Sequence, residues 1–319
     1  MSVEDGLKLV WTEVFVPERE VRVAEIGAHH GLAPRQVAVL ERMHGVASVR
    51  WDPDLALLDL LVPPARKALE RARGRQEPAY LIYVHASPEV APANVSVARE
   101  LADALGLRQT QVFAVSQQAC TSSLAALEIA GELLRAEPPG ARALIVNGEK
   151  PFTELNQLHY PIGDIMGEGA TATVVSWDGH GDEIRGYAIR HDGSFADSLT
   201  LYEALPRRQF VDTSIDMIVK VVGDVLSQGG LTLADIDHFI PSNISRVFWS
   251  QVVSALGVDR DRVFLDNLPR YGHCFAADSL INYETLRERG RLAPGGYSLL
   301  ACPGLGASFA AMLLRHGAR

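Results

Sequence analysis

The sequence predicts a layered α/β fold, and three observations carry the prediction. Short runs such as Tyr80–His85, Ala141–Asn147 and Tyr297–Cys302 are apolar along their length, the pattern of strands covered on both faces. Amphipathic stretches of helical period, Asn94–Leu105 and Thr213–Gln228, lie between such runs and stop at Gly106 and at Gly229-Gly230. Strand and helix patterns alternate in both halves, which is the order of a layered α/β architecture. At 319 residues and 47% hydrophobic content, the chain is long enough for one large domain or two packed halves.

In chain order, Leu7–Val16 reads as a strand, Val21–His29 and Pro34–His44 as helices, and Leu55–Arg73 as a helix interrupted at Pro63-Pro64. His29, His30 and His44 read as solvated surface histidines. Tyr80–His85 is followed by the Asn94–Leu105 helix and then by Val112–Val115. This last strand delivers Gln118-Ala119-Cys120, after which a small-residue helix begins at once. A thiol at a helix N-terminus meets unpaired N–H groups and the positive dipole end, so its pKa is expected below the free value of ~8.5. A buried structural cysteine is the alternative reading. The glycines of Ile162–Trp177 lead into a strand rather than a helix, the wrong order for a dinucleotide fingerprint. Asp178–Asp182 is a polar turn cluster and the expected seam, giving halves 1–178 and 179–319.

The second half restarts with a strand at Ile184–His191. After the Thr213–Gln228 helix comes a strand, Asp237–Pro241, then Ser242–Ser245 leading into a helix to Leu256. Tyr271-Gly272-His273 precedes a helix over Phe275–Arg289. Tyr297–Cys302 is a strand, Pro303–Gly306 a tight turn, and Ala307–Arg315 the last strand.

Composition excludes several functions. The net charge is −9 and no Lys/Arg block is present, which argues against nucleic acid. No apolar run reaches the ~18 residues of a membrane span. The N-terminus lacks the basic and apolar regions of a signal peptide. Three scattered cysteines, Cys120, Cys274 and Cys302, suit a reducing cytoplasm, and no metal or phosphate-loop signature occurs.

Three turns at strand ends combine a thiol, an imidazole and a Gly-rich backbone: Ala119-Cys120, Tyr271-Gly272-His273 and Gly304-Leu305-Gly306. Such a set suits acyl transfer through an acyl-cysteine. With these residues, the region Ile162–Ala170 and the strand Phe239-Ile240-Pro241, nearly the whole chain resembles the ketosynthase III (3-oxoacyl-ACP synthase III) branch of the thiolase superfamily. The resemblance implies a five-layer αβαβα fold of two similar halves, a homodimer and an acyl pocket. It also implies oxyanion-hole donors at the backbone N–H groups of Cys120 and Gly306. The substrate is an acyl-CoA or an acyl carrier protein thioester, and no bound cofactor or metal is expected.

The chain departs from that family at two places. Where condensing members have a histidine after Ile-Pro, this chain has Ser242; where they have asparagine after Tyr-Gly, it has His273. The altered pattern resembles ketosynthase-III-like acyltransferases of polyketide and other secondary-metabolite pathways, which pass the acyl group to an oxygen, nitrogen or thiol without carbon–carbon bond formation. The roles it implies are Cys120 as nucleophile, His273 as general base and Asp278 as the carboxylate that orients the imidazole. Ser242 and Asn243 either line the acceptor pocket or cap the following helix. A rearranged condensing enzyme and a non-catalytic thiolase-fold partner subunit are the alternatives. Arg42, Arg50, Lys150, Arg207, Arg208, Arg246 and Arg270 are candidates for carrier-protein docking. The family's Arg-Thr-Gly-Ile segment appears as Met43-His44-Gly45-Val46, without its basic residue.

Overall fold

The computed structural model describes residues 6–72, 76–151, 157–159, 164–199 and 208–318; Ile162, Gly163 and Arg207 fall outside them. The first half runs β1 (Lys8–Phe15), β2 (Glu20–Arg22), α1 (Val23–His29), α2 (Pro34–Val39), β3 (Ser48–Arg50), α3 (Leu57–Arg71), β4 (Tyr80–Val84), α4 (Val97–Leu105), β5 (Gln111–Val115), α5 (Ser122–Leu134), β6 (Ala143–Glu149), β7 (Leu158–His159), β8 (Asp164–Ile165) and β9 (Gly169–Ser176). The second runs β10 (Asp182–His191), α6 (Arg208–Gly229), β11 (His238–Pro241), α7 (Arg246–Leu256), α8 (Leu268–Tyr271), α9 (Asp278–Glu288), β12 (Tyr297–Gly304) and β13 (Ser308–Arg315).

Nine strands form one continuous sheet in the order β11-β12-β13-β10-β1-β9-β6-β4-β5. Its centre is a corner, because β1 and β10 pair only at Lys8–Glu183 and Leu9–Asp182. On either side of that corner the topology repeats. From β1 outward the pairings are antiparallel to β9, antiparallel to β6, parallel to β4 and parallel to β5. From β10 outward they are antiparallel to β13, antiparallel to β12, parallel to β11, and parallel again through a bridge from Phe239 to Val263. Each half uses its strands in the same chain order. In this repeat, the segment leading from β5 into α5 corresponds to the segment leading from Val263 towards α9.

The helices complete the layers. α3 and α4 cover the outer face of the first sheet, and α6 and α7 that of the second. Between the sheets lie α5 and α9: α5 touches β4, β6 and β9 but also β13, and α9 touches β11 and β12 but also β1 and β9. A helix sandwiched between sheets must be apolar or small nearly all round. In α5, Ser122–Leu127 and Ala130-Gly131 are buried accordingly, and a Cβ on Gly131 would lie 2.9 Å from the Leu7 side chain. The central core unites Leu124 and Leu127 of α5 with Leu280 and Tyr283 of α9, and with Ile82, Ile145, Leu300 and Met312 of the strands. The architecture is the five-layer αβαβα arrangement of two similar halves.

Local boundaries follow their sequence cues in most places. Ser96 caps α4, its Oγ accepting from Arg99 N, and Gly106 closes the helix in the left-handed conformation. The exception is α3, which is continuous through Pro63-Pro64 rather than interrupted there. The lost backbone bonds are offset by packing: Leu60, Leu61, Pro64, Ala65 and Ala68 are buried on the first sheet. Pro303 and Gly304 belong to β12, so the turn is shorter than the sequence suggests.

Because the central core holds both halves together, Leu124→Ala and Leu280→Ala are each expected to destabilise the protein by about 2–5 kcal/mol. Ile129→Ala, on the 36% exposed edge of α5, is expected to cost under about 1 kcal/mol. Urea unfolding of the three variants checks the difference.

Candidate active site

Cys120 is placed by a strained turn. After β5, Gln117 (φ 68°) and Ala119 (φ 48°) both adopt the left-handed region, each at a cost of about 1–3 kcal/mol. Cys120 then sits in a 3₁₀ turn, Ala119–Thr121, ahead of α5. The end of β12 is pressed against this turn. A Cβ on Gly304 would lie 2.7 Å from Gln118 O and 3.3 Å from Cys120 N, so only glycine lets the strand approach. Gly306 (φ 99°) makes the left-handed turn into β13, beside Leu305 in the cavity wall.

His273 comes from the corresponding segment of the other half. Gly272 (φ 61°) turns the chain where a Cβ would meet Ile165 O at 2.6 Å. His273 N then donates to Ile165 O (2.9 Å), and Gly167 N to His273 O (2.9 Å). The imidazole is held on both sides. Its Nε2 lies 3.1 Å from Cys120 Sγ, and its Nδ1 bonds Asp278 Oδ2 at the first turn of α9. Thiol, imidazole and carboxylate are therefore in line, and all three are buried.

The carboxylate is itself clamped. Asp278 Oδ1 accepts from Cys274 N (2.7 Å) and Asn243 Nδ2 (3.3 Å), and Oδ2 accepts from Asn243 N (2.6 Å). Asn282 Nδ2 donates to Asn243 Oδ1 (2.9 Å), and Asn267 Nδ2 to Asn282 Oδ1 (2.9 Å). This corrects the sequence reading of Ser242 and Asn243: neither lines the cavity, and neither caps α7, whose cap is Ser245. Asn243 faces Asp278, and Ser242 is buried with its carbonyl accepting from Trp249 Nε1 (2.7 Å). The cue for a following helix was read correctly, but the direction of the side chains depends on α9, far away in sequence.

Electrostatics also differ from the helix-dipole argument. Burial pushes the Cys120 thiol up from its ordinary value, and the nearby His273 only partly offsets this. The turn precedes α5, and the sulfur is buried, so desolvation of a thiolate outweighs the dipole. For His273, burial opposes the charge, but Asp164, Cys120 and Asp278 together hold the imidazole well above 6.5. A proton leaving the sulfur thus meets an imidazole that stabilises it. Cys274 and Cys302 are pushed well up by burial.

A cavity of about 320 Å³ opens onto this line. Cys120, Asp164 and His273 face it together with His44, Phe210, Val211, Val247, Phe248 and Leu305. Two of the polar residues, Asp164 and His44, were not singled out as site residues in the sequence. Asp164 lies in β8, whose next residue bonds His273 N. His44 was read as a solvated surface residue; it is half-buried, with Nδ1 2.9 Å from Ser245 Oγ. Asp164 falls within the Ile162–Ala170 region that carries the family resemblance, whereas no local pattern marks His44. Among the carrier-docking candidates, Lys150 is buried, pairing with Glu168 (2.8 Å) and donating to the carbonyls of Asp52 and Leu55. It supports the loop before α3 rather than a docking surface. Among the described residues no cluster of three His, Cys, Asp or Glu is placed to hold a metal, and no helix is long and apolar enough to cross a membrane.

Removing the imidazole should raise the thiol pKa further. Iodoacetamide alkylation of Cys120 at pH 8, followed by peptide mass spectrometry, is expected to slow about tenfold or more in His273→Ala, with Cys274 and Cys302 unreactive in both proteins. The folded-state pKa of His273 lies above 6.5, so the stability from its charged form is complete below that pH and is lost as pH rises through the folded value. The stability advantage of wild type over His273→Ala should therefore shrink from pH 6 upward in urea titrations.

Residues 226–316 match the family model described as 3-oxoacyl-[acyl-carrier-protein] synthase III, C terminal. The beta-ketoacyl-[acyl-carrier-protein] synthase III of Nitratidesulfovibrio vulgaris (strain DP4) is 28% identical, over 82% of this chain and 85% of the relative. The acetoacetyl CoA synthase NphT7 of Streptomyces sp. (strain CL190) is 26% identical, over 95% and 97%. Among solved structures, ChlB3, an acyltransferase, superposes with a TM-score of 0.86 at 21% identity, covering 98% of both chains. The relatives named here are enzymes that transfer or condense acyl groups. With its layered repeat, the chain has the thiolase fold, and it is similar to 3-oxoacyl-[acyl-carrier-protein] synthase III proteins.

Proposed function

We propose that the protein is an acyltransferase that works through acyl-Cys120, without decarboxylative condensation, in a secondary-metabolite pathway such as that of a polyketide. The observation that carries this reading is the continuous Cys120–His273–Asp278 line. His273 Nε2 takes the thiol proton as Sγ attacks the thioester carbonyl, then gives it to the departing CoA or carrier thiol. The acceptor next binds; its proton passes to His273 as its oxygen, nitrogen or sulfur attacks the acyl-cysteine. The C–S bond breaks, and the proton returns to Cys120 Sγ. Asp278 keeps Nδ1 protonated and stabilises the imidazolium. The backbone N–H groups of Cys120 and Gly306 are the proposed oxyanion donors. The thioester and a small-molecule acceptor are substrates, and no resident cofactor takes part.

The family resemblance implies that condensation takes its donors on the malonyl carbonyl from an imidazole at position 242 and an amide at position 273. At position 242 this chain has a serine that lies off the cavity. The Asp164 carboxylate in the cavity wall also repels a malonyl carboxylate. The names of the condensing relatives favour the second reading, a 3-oxoacyl-ACP synthase III-type enzyme. A homodimer is supported by β5, an edge strand whose Val112, Phe113 and Val115 are only partly covered. Three buried free cysteines are in keeping with a cytoplasmic enzyme.

Intact-protein mass spectrometry against a panel of acyl thioesters should give a single acyl adduct, absent in Cys120→Ala. Asp278→Asn should lower transfer about 10²–10⁴-fold. Carbon dioxide release from a malonyl thioester with a 3-oxo product would establish the condensing reading instead.

A further inference from the structure

One buried carboxylate behind the reacting groups has no part in the proton-transfer scheme. Glu149 ends β6 and is 1% exposed. Its Oε2 accepts from Ala86 N, and its Oε1 accepts from Ser87 N (3.1 Å) and Ser87 Oγ. Three donors converge on it, the surroundings of an ionised carboxyl. The corner it holds, Ala86-Ser87, follows β4, and Ala86 is buried in the core that also contains Cys120, Met166 and Phe275. In the sheet, Glu149 pairs with Gly169 of β9, where a Cβ would lie 3.2 Å from the sulfur of Cys274, the residue after His273. β6 also packs against the turn Phe275–Ala277, which leads from His273 into α9. The carboxylate is thus built into the wall behind both reacting segments.

We propose that Glu149 is a positioning residue of this site: it braces the Ala86-Ser87 corner, and its charge acts on the Cys120–His273 pair without touching either group. The inference rests on the acyltransfer reading for the role of that pair. A negative charge near a thiol and an imidazole makes both hold their protons more tightly. Burial pushes the Cys120 thiol up, and Asp164 and Glu149 add to it against His273. Burial also pushes the Glu149 carboxyl up, while the Ser87 and Ala86 donors and His273 oppose this. The other titratable groups around the pair are Asp278 on α9, Asp164 on β8, His44 in the cavity wall and Cys302 in β12. Cys274 stands beside His273, with Glu168 acting on it. Thiol and imidazole share a contact, so they titrate as a unit. The Glu149 charge keeps the resting thiol protonated. Once the sulfur is acylated, the same charge favours the proton on His273, where attack of the acceptor delivers it.

The test is the pH–rate profile of Cys120 alkylation by iodoacetamide, read by peptide mass spectrometry on the full chain. Removing the negative charge in Glu149→Gln should move the profile to lower pH and speed alkylation at pH 7 about threefold or more. That is opposite in sign to the slowing expected of His273→Ala. Glu149→Asp keeps the charge but shortens the brace, and its profile should stay with wild type. A site merely opened by damage would speed Cys120 as well, but Cys274 and Cys302 would then react too. If they do react in Glu149→Gln, the profile of Ser87→Ala decides. Loss of the hydroxyl donor makes the Glu149 carboxyl easier to protonate, so that profile should shift the same way by less. A Glu149→Gln profile that superposes on wild type overturns the proposal. So does a Glu149→Asp profile that shifts as far as that of Glu149→Gln, or an unshifted Ser87→Ala where that variant decides. Alkylation needs no acyl substrate. Failure of every thioester to load Cys120 therefore overturns the acyltransfer reading and leaves these profiles to judge Glu149.

Discussion

The 3.1 Å contact between Cys120 Sγ and His273 Nε2 joins groups 153 residues apart, and the rest of the structure is arranged to make it. Each partner leaves its half at the corresponding place, on the way from a parallel strand into a central helix. Each turn contains non-glycine residues in the left-handed region: Gln117 and Ala119 on one side, Phe275 (φ 51°) on the other. Backbone strain of this kind persists only where its surroundings over-determine it. Here the surroundings are the opposing half. Gly304 of the second half lies against the Cys120 turn, and Gly167 of the first lies against Tyr271 O, where a Cβ would come within 2.1 Å. The active turns are thus braced reciprocally, and neither half alone contains the support its own turn needs.

Buried charge is organised around the same contact. His273 is fully buried, where an isolated imidazolium would lose its proton. Asp278 on Nδ1 and Asp164 across the cavity reverse that tendency. Two backbone N–H groups and an amide donate to Asp278, with Asn282 and Asn267 fixing that amide in turn. A partly satisfied polar network would be worse than an apolar core. This one is continuous from Asn267 to the thiol. Its cost explains why α9, the helix carrying Asp278 and Asn282, keeps polar residues in the centre of the molecule while its counterpart α5 is built from alanine, serine and leucine.

Much of the layered fold was legible because its signals are local. The continuous apolar runs at β4 and β6 mark strands covered on both faces, and Ser96 and Gly106 bracket α4. The line of Cys120, His273 and Asp278 was legible through turn chemistry and family resemblance together. What could not be read depends on contacts between distant segments. Pro63-Pro64 looks like a break, but burial of Leu60 and Leu61 carries α3 across it. Asn243 looks like a pocket or cap residue, but α9 brings Asp278 to its amide. His44 carries no local mark, and Asp164 only its place in a family-like stretch; both line the cavity because β8 and the Leu40–His44 turn meet there. The thiol pKa was misjudged for a related reason: helix position is local, whereas desolvation depends on everything packed around the sulfur.

The placement of a single imidazole has consequences for chemistry beyond either residue alone. At position 242 the side chain is buried beside Cys302 and does not line the cavity. At position 273 the side chain is already between the nucleophile and a carboxylate. An imidazole there moves a proton in line with the sulfur, whereas an amide at the same point only donates a hydrogen bond. In the acyltransfer proposed above, an imidazole at position 273 relays a proton to and from the acyl-cysteine. The clamp on Asp278 fits that proposal, because Oδ2 bonds His273 Nδ1 and leaves Nε2 facing Cys120 Sγ.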